Sequence, residues 1–335
     1  MTTRAVSVVT VVFEVEIPLL LLQARSLRAH VPAERIARYI VIDNTARGLS
    51  PADRRRIAGE LGDHAPRLRV VRPADLVDVP AAKGWVVQQV LKLAVSALVD
   101  TDHYVALDAK NHFVRTPAPD FFVSADGRAR VNTYSYEEHP LRPQLETVLA
   151  YTGLEPGALV RDFTATVTPF VFDTARVRRT IAEVEERSGS PFADEFVRAG
   201  LTEFFLYTAW ALRDGATIDA VFDVQQVFCP VLWPRRNSLA HVDDVRERLD
   251  DERVPLLSAH RNALADLPRP AADALAALWV SHGLFASPRE ARGFLRRFRI
   301  NRLVQTALLR ARAKLPARGG RAPRAALAQA AAREG

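Results

Sequence analysis

The first 110 residues alternate between short apolar runs of strand length and longer segments with apolar residues at helical spacing. Four runs predict strands because they are short, apolar and rich in β-branched residues, namely residues 6–13, 39–42, 67–71 and 104–107. Residues 19–29 and 84–98 predict helices between them. Strands that alternate with helices indicate an α/β fold with a largely parallel sheet.

The second half of the chain has a less regular pattern. Residues 164–172 predict one strand, and Pro169 inside it places that strand at a sheet edge or a bulge. Thr202 is a predicted N-cap for the aromatic helix EFFLYTAWAL. Residues 217–227 and 254–259 predict further short strands. Residues 283–315 predict a basic amphipathic helix, and 316–335 predict a disordered tail because they lack a core-forming pattern.

Composition narrows the possible classes of protein. The chain has 335 residues, of which 48% are hydrophobic, and its one cysteine, Cys229, excludes an internal disulfide. The N-terminal apolar stretches are too short to span a bilayer, and no signal-peptide cleavage site follows them. The sequence therefore predicts a cytoplasmic protein. It lacks the glycine motifs of dinucleotide-dependent oxidoreductases and P-loop kinases and the serine motif of α/β-hydrolases.

The positive charge is concentrated at the C-terminus. Residues 289–335 contain thirteen Arg or Lys and two Glu, a balance of +11, whereas the whole chain carries +7, so the preceding 288 residues carry −4. A mildly acidic body argues against a nucleic-acid groove, and we expect no nucleic-acid partner. Any anionic partner is expected to bind the C-terminal part.

Polar side chains follow the predicted strands at the point where each strand ends. Glu14 follows the first strand, Asp43 and Asn44 follow the second, and ALDAKN at 106–111 ends the fourth. Ligands of open α/β sheets bind beyond the carboxyl ends of the strands, so these residues point to one crevice. Asp and Asn are also common turn residues, which leaves a purely structural interpretation of ALDAKN open.

Lysine is scarce, and its positions are informative. The 46 basic side chains include only four lysines, and three of them, Lys83, Lys92 and Lys110, fall within residues 83–110. A compact, flexible point charge suits a phosphate partner, although four residues are few enough for coincidence.

The order of these segments resembles the bacterial GT-A-type glycosyltransferases, and most closely an uncharacterised subgroup associated with polysaccharide biosynthesis. The resemblance covers roughly residues 5–262 and follows a series of segments: VSVVTVVFEVEIPLLLLQARSL, YIVIDN, GWVVQQVLKL, YVALDAKNHF, TVTPFVF and LTEFFLYTAWAL. It implies a GT-A-like fold, a Rossmann-related mixed sheet flanked by helices, and the basic helical C-terminal extension read from the sequence follows it. It also implies transfer of a sugar from a nucleotide-diphosphate donor to a hydroxyl of a glycan or a lipid-linked acceptor.

The resemblance also implies roles for particular residues on the donor side. The loop at 10–14, including Thr10, Phe13 and Glu14, would hold the nucleotide together with Asp43 and Asn44. The Asp-x-Asp motif of this fold normally holds a divalent cation, Mn²⁺ or Mg²⁺, but here it is Asp108-Ala109-Lys110. Either Asp108 holds a metal with another ligand, for which His260 is the candidate, or Lys110 itself neutralises the diphosphate. Asn111 would bind sugar hydroxyls or close the turn.

Two further groups of residues complete the predicted site. Trp85, Gln88, Gln89 and Lys92 share one helical face, either as donor ligands or as a packed tryptophan beside a solvated face. Glu203 and Asp108 are the predicted catalytic carboxylates, and Asp194 and Glu195 are the alternatives to Glu203. The alternative role of Glu203 is to stabilise the positive end of a helix. The resemblance places Thr168 and Tyr207 with Glu203 on the acceptor side.

The basic C-terminal helix has two interpretations. Apolar residues such as Phe294, Leu295 and Leu303 alternate with arginines, which suits an anionic bilayer surface at the cytoplasmic face of the membrane. The alternative is an apolar side packed on the body of the protein.

The predicted organisation is a catalytic domain at 1–282, with a donor half at about 1–115 and an acceptor half at about 116–282, followed by the extension at 283–315. The predicted function is glycosyl transfer. The alternative is a non-catalytic nucleotide- or carbohydrate-binding partner in a glycan-assembly complex.

Overall fold

The computed structural model describes residues 5–224 and 229–314. The strands in these ranges are β1 (Val6–Val12), β2 (Ile36–Asp43), β3 (Leu68–Val71), β4 (His103–Asp108), β5 (Asn111–Phe113), β6 (Ala129–Val131), β7 (Thr133–Tyr134), β8 (Phe163–Thr164), β9 (Phe170–Asp173), β10 (Phe222–Val224), β11 (Val231–Leu232) and β12 (Leu256–Ala259). The helices are α1 (Ile17–His30), α2 (Pro51–Leu61), α3 (Gly84–Ala94), α4 (Arg142–Thr152), α5 (Gly157–Arg161), α6 (Thr174–Ser188), α7 (Phe192–Arg198), α8 (Glu203–Leu212), α9 (Ile218–Val221), α10 (Leu239–Leu249), α11 (Arg261–Ala265), α12 (Arg269–Ser281) and α13 (Pro288–Lys314).

The central sheet has the strand order β3-β2-β1-β4-β9. Strands β3, β2, β1 and β4 are parallel, and β9 joins β4 in the antiparallel direction. Every residue of β1 is buried, as expected of a strand covered on both faces. The predicted α/β class, a Rossmann-related mixed sheet flanked by helices, is confirmed.

A second, three-stranded sheet continues from the end of β4 and has the order β11-β12-β5. The chain turns at Ala109 and Lys110 and re-enters as β5, which pairs antiparallel with β12. The backbone N–H of Ala259 donates to the carbonyl of Lys110 at 3.1 Å, and that of His260 donates to the carbonyl of Leu232 at 3.1 Å. This sheet therefore brings the ends of β11 and β12 to the loop that follows β4.

Two predicted strands of the second half are wrong in extent. The predicted strand at 164–172 is two strands in different sheets, since β8 pairs with β7 whereas β9 pairs with β4. Pro169 lies between them and has no N–H to offer a ladder. The predicted strand at 217–227 begins instead with the short helix α9, because the hydroxyl of Thr217 accepts the N–H of Ala220 at 3.3 Å. Strand β10 follows, and residues 225–227 lie outside the described residues.

Helix α13 divides into a packed part and an exposed part. Ala291, Leu295 and Phe298 are buried, and the helix contacts α11 and α12. Two to six residues after Phe298, Ile300, Leu303 and Val304 are 54%, 71% and 50% exposed. Packing therefore explains Ala291, Leu295 and Phe298 but not these three apolar side chains. No helix in the described part of the chain is long and apolar enough to span a membrane. The predicted disordered tail at 316–335 lies outside the described residues.

Candidate active site

Two lysines meet one carboxylate where β4 ends. Asp108 is the last residue of β4, and its Oδ1 lies 3.1 Å from Nζ of Lys92. Its Oδ2 lies 2.6 Å from Nζ of Lys110, two residues further along the chain. The Asp108 side chain is 28% exposed, so this pairing lies at the surface of the crevice. Two of the scarce lysines are thus brought together, as their spacing suggests.

Glu203 joins the same group of charges from a different part of the chain. It is the first residue of α8, and its Oε1 lies 3.4 Å from Nζ of Lys92. Gln89, one helical turn before Lys92 on α3, accepts the backbone N–H of Glu203 at 3.2 Å. The side chains of Lys92 and Glu203 are only 6% and 8% exposed. We call Lys92, Asp108, Lys110 and Glu203 the charge cluster.

The environment sets the protonation of these groups. Burial opposes the charge of Lys92, but Asp108 and Glu203 outweigh it and raise the pKa of Lys92. Burial would also raise the pKa of Asp108, but Lys110 and Lys92 hold that pKa well below its usual range. Burial raises the pKa of Glu203 against the attraction of Lys92. Among the two carboxylates, Glu203 is therefore the one disposed to accept a proton.

A neighbouring ion pair, which no local sequence pattern indicates, extends this region. Glu16 follows β1 and lies 2.6 Å from the Arg261 guanidinium at the start of α11. Burial raises the pKa of Glu16, Arg261 opposes that rise, and the charges of Asp108 and Lys110 also act on it. Glu16 therefore lies close to the charge cluster. The predicted Glu14 instead accepts the backbone N–H of Ala46 and holds the loop after β2.

Thr10 and Asn111 are buried beneath the charge cluster and form hydrogen bonds within the protein. Both are buried, and both contact Gln23 of α1. The Gln23 amide accepts from the Thr10 and Tyr39 hydroxyls at 2.7 Å and donates to the carbonyls of Asp108 and Asn111 at 2.8 and 3.0 Å. The Asn111 side chain accepts the N–H of Asp108 at 2.7 Å. This network fixes the backbone that carries Asp108.

Asp43 is buried, and its carboxylate is already occupied. It accepts from Thr45 and from the backbone N–H of Leu49, and lies 3.1 Å from the Arg72 guanidinium. Burial alone would raise the pKa of Asp43, but these partners lower it. Its carboxylate therefore shapes the loop after β2. Asn44, the next residue, is half-buried, and its N–H donates to the carbonyl of Val12 at 3.0 Å.

The Tyr207 hydroxyl lies near the amino end of β4, whereas the charge cluster lies at its carboxyl end. Its hydroxyl accepts the N–H of Asp173 at 2.9 Å, and Asp173 pairs with His103 at the start of β4. Asp108 is five residues further along that strand, about 17 Å away at strand rise. The Tyr207 hydroxyl is thus directed away from the charge cluster, although Tyr207 follows Glu203 by one helical turn. The rival Glu195 pairs with Arg198 at 2.6 Å, and Asp194 is exposed.

The remaining predicted residues differ in exposure. Trp85 at the start of α3 is exposed, Gln88 is half-buried, and Phe13 lies against Gly84. Among the described residues, Thr168 Oγ1, Thr202 Oγ1 and Gln89 Nε2 are buried without a hydrogen-bond partner. Buried polar atoms in proteins are usually paired with a protein group or an ordered water. Thr168 also accepts a hydrogen bond from Asn111 through its carbonyl at 3.1 Å.

The residues present do not fit a divalent cation. A cation needs several oxygen ligands, whereas both oxygens of Asp108 face ammonium groups. Nδ1 of His260 accepts the backbone N–H of Asn262 at 3.1 Å as the N-cap of α11. Among residues 5–224 and 229–314 there is no group of three His, Cys, Asp or Glu side chains that could hold a metal.

Comparison with known proteins assigns the chain to a family without assigning an activity. Residues 20–232 match the model of DUF6492, a family of unknown function, and the chain belongs to that family. No curated protein matches the chain.

Solved structures with some similarity include the galactosyltransferase LgtC in complex with donor and acceptor sugar analogs. That comparison has 14% identity and a TM-score of 0.45, over 86% of this chain and 99% of that one. Another is the bifunctional glycosyltransferase WbbM, with 12% identity and a TM-score of 0.43, over 77% of this chain and 46% of that one. These values are too low to assign an activity to this chain.

The buried ion pair gives a stability prediction. Lys92→Met should lower the free energy of unfolding by about 3 kcal/mol, because Glu203 is left buried without its counter-charge. Adding Glu203→Gln to that variant should recover a large part of the loss. Urea denaturation measures both, with Lys83→Met at an exposed position as the control within about 0.5 kcal/mol of the unsubstituted protein. Equal stability of Lys92→Met and the control would contradict the assignment.

Proposed function

We propose that this protein is a glycosyltransferase that moves a sugar from a nucleotide-diphosphate donor to a hydroxyl of a glycan or a lipid-linked acceptor. The observation that carries the proposal is the convergence of Lys92 and Lys110 on Asp108 at the carboxyl end of β4. Ligands of parallel sheets bind at this edge. Two ammonium groups there can bind the diphosphate that a donor releases.

The proposed reaction assigns one role to each residue of the charge cluster. The acceptor oxygen forms a bond to the anomeric carbon, and the bond from that carbon to the phosphate oxygen breaks. The electron pair leaves with the diphosphate, whose charge Lys110 and Lys92 stabilise. The acceptor proton passes to Glu203, the carboxylate whose pKa is raised. Asp108 holds both lysines in position and is released from them in part when the diphosphate binds.

The two ends of the donor then have separate surroundings. We place the nucleoside near Phe13, Asn44 and the exposed Trp85, which belong to the loops after β1 and β2 and to the start of α3. We place the acceptor near Glu203 and Thr168, whose hydroxyl is buried and lacks a protein partner.

The second candidate is a non-catalytic nucleotide- or carbohydrate-binding partner of a glycan-assembly complex. It is favoured by one observation, the full pairing of Asp108 with lysines where a metal-dependent enzyme would need free carboxylate oxygens. Such a protein would bind nucleotide sugars and release no nucleotide diphosphate from them.

Glu203→Gln tests the catalytic proposal. Purified full-length protein is incubated with UDP-glucose, UDP-galactose, UDP-N-acetylglucosamine and GDP-mannose, and release of the nucleotide diphosphate is measured. The substitution should keep donor binding, measured by isothermal titration, and reduce release of the diphosphate, with water as the acceptor, by at least about a hundredfold, because it removes the proton acceptor. Glu195→Gln is the matched control, since Glu195 is also buried and ion-paired but contacts Arg198.

Two outcomes would oppose this assignment. Full activity of Glu203→Gln would remove Glu203 from the reaction. Binding of a nucleotide sugar with no release by the unsubstituted protein would favour the non-catalytic candidate.

We also propose that the protein works at an anionic membrane surface through the exposed apolar side chains of α13 at residues 300–304. Ile300, Leu303 and Val304 are exposed at helical spacing on one face. Arg296 and Arg297, also exposed, lie one turn before them on that face. Exposed apolar side chains next to exposed arginines on one helix face match the boundary between lipid tails and anionic headgroups. This location suits a lipid-linked acceptor.

Vesicle sedimentation tests the membrane proposal. The full chain should co-sediment with phosphatidylglycerol vesicles at low salt and be released at high salt, because headgroup attraction is screened. Replacing Ile300, Leu303 and Val304 together by Ser should abolish sedimentation. Leu239→Ser, an exposed leucine at the start of α10, is the control and should sediment normally. Sedimentation of the triple variant, or indifference of the full chain to the vesicles, would refute the proposal.

A further inference from the structure

An exposed tryptophan stands beside the charge cluster on the side of the small sheet. Trp233 directly follows β11, whose partner β12 is itself paired with β5. Because Lys110 precedes β5, the three-stranded sheet carries Trp233 to the loop that ends β4. The Trp233 ring centroid lies 5.6 Å from Nζ of Lys110. Trp233 is 39% exposed, so part of a large apolar side chain is open to solvent beside Lys110.

The tryptophan is held in place from two directions. The His260 ring lies 6.0 Å away between centroids and is inclined by 34° to it. The Lys110 ammonium, which Asp108 binds, lies over its ring. These contacts restrain the plane of the indole and leave 39% of the side chain exposed, so Trp233 presents apolar surface beside Lys110.

The turn that carries Trp233 has an unfavourable backbone conformation. The N–H of Arg236 donates to the carbonyl of Trp233 at 3.1 Å, which closes a tight turn over Pro234 and Arg235. Arg235 has φ of 64°, and among the described residues it is the one non-glycine residue with positive φ. A side chain in this conformation costs free energy, and such positions concentrate at ligand-binding sites.

We propose that the face of Trp233 stacks on the pyranose ring of the donor sugar, whose diphosphate Lys110 and Lys92 bind. This inference rests on the proposed function. The apolar C–H face of a pyranose matches an aromatic face, and the sugar is attached directly to the phosphate that the lysines hold. The nucleoside lies on the other side, because the loops after β1 and β2 carry its proposed contacts. Trp233 is thus a specificity-determining residue for the sugar and not for the nucleotide.

The test compares each nucleotide with its sugar conjugate. Isothermal titration measures the affinity of the full chain for UDP, GDP, UDP-glucose, UDP-galactose and GDP-mannose. Trp233→Ala should weaken the best-binding conjugate by roughly five- to tenfold and leave the affinity of the matching nucleotide diphosphate unchanged. Trp233→Phe, which keeps an aromatic face, should retain most of the affinity. Thermal unfolding checks that each variant is folded.

Trp85→Phe is the matched control, because Trp85 is also exposed but lies at the start of α3, near Phe13. This variant should change the affinities for the nucleotide and its conjugate by the same factor. Equal loss of both affinities in Trp233→Ala, or no loss of either, would overturn the role of Trp233 while leaving the proposed function intact. Absence of binding by the unsubstituted protein to every nucleotide and conjugate would overturn the proposed function and this inference together.

Discussion

A lysine ammonium buried between two carboxylates is the interaction on which the rest of this site depends. Lys92 is almost fully buried, and moving an isolated charge out of water costs more free energy than a domain of this size can spare. Asp108 and Glu203 make that burial tolerable, and they come from β4 and α8, whereas Lys92 comes from α3. These two ion pairs therefore require three elements, separated by many residues in the chain, to meet at the carboxyl end of the parallel strands.

The same arrangement determines what the site can bind. Lys110 adds a second cation beside Asp108, so an anion that approaches this end of β4 meets the Lys110 ammonium first, with Lys92 buried behind it between Asp108 and Glu203. A diphosphate carries enough charge to compete with Asp108, whereas a neutral ligand does not. Burial also keeps Glu203 apart from solvent, which raises its pKa and disposes it to accept a proton. In the proposed reaction, the lysine ammonium groups stabilise the diphosphate charge that a metal ion stabilises in metal-dependent enzymes.

Much of this could be predicted from the sequence, because strands and their polar ends are local features. The hydrophobic pattern predicted β1, β2 and β4, and the spacing of the lysines indicated the loop at Lys110. The contacts that local patterns did not predict join distant parts of the chain. Gln23 lies in a helix whose sequence is mostly apolar, yet its side-chain amide donates a hydrogen bond to the backbone carbonyl of Asp108. Glu16 and Arg261 form an ion pair although more than two hundred residues separate them. Tyr207 follows Glu203 by one helical turn, yet its hydroxyl lies near the start of β4 and not near its end.

The most direct test of this account is the binding of UDP and GDP by isothermal titration, with Mn²⁺ and with a chelator. The account predicts that binding is the same in both conditions and is lost in Lys110→Ala, whereas Lys83→Ala, at an exposed position, binds normally. It also predicts that Lys110→Asp, which restores a second carboxylate, makes binding depend on Mn²⁺. Binding by the unsubstituted protein that requires Mn²⁺, or unchanged affinity in Lys110→Ala, would contradict it.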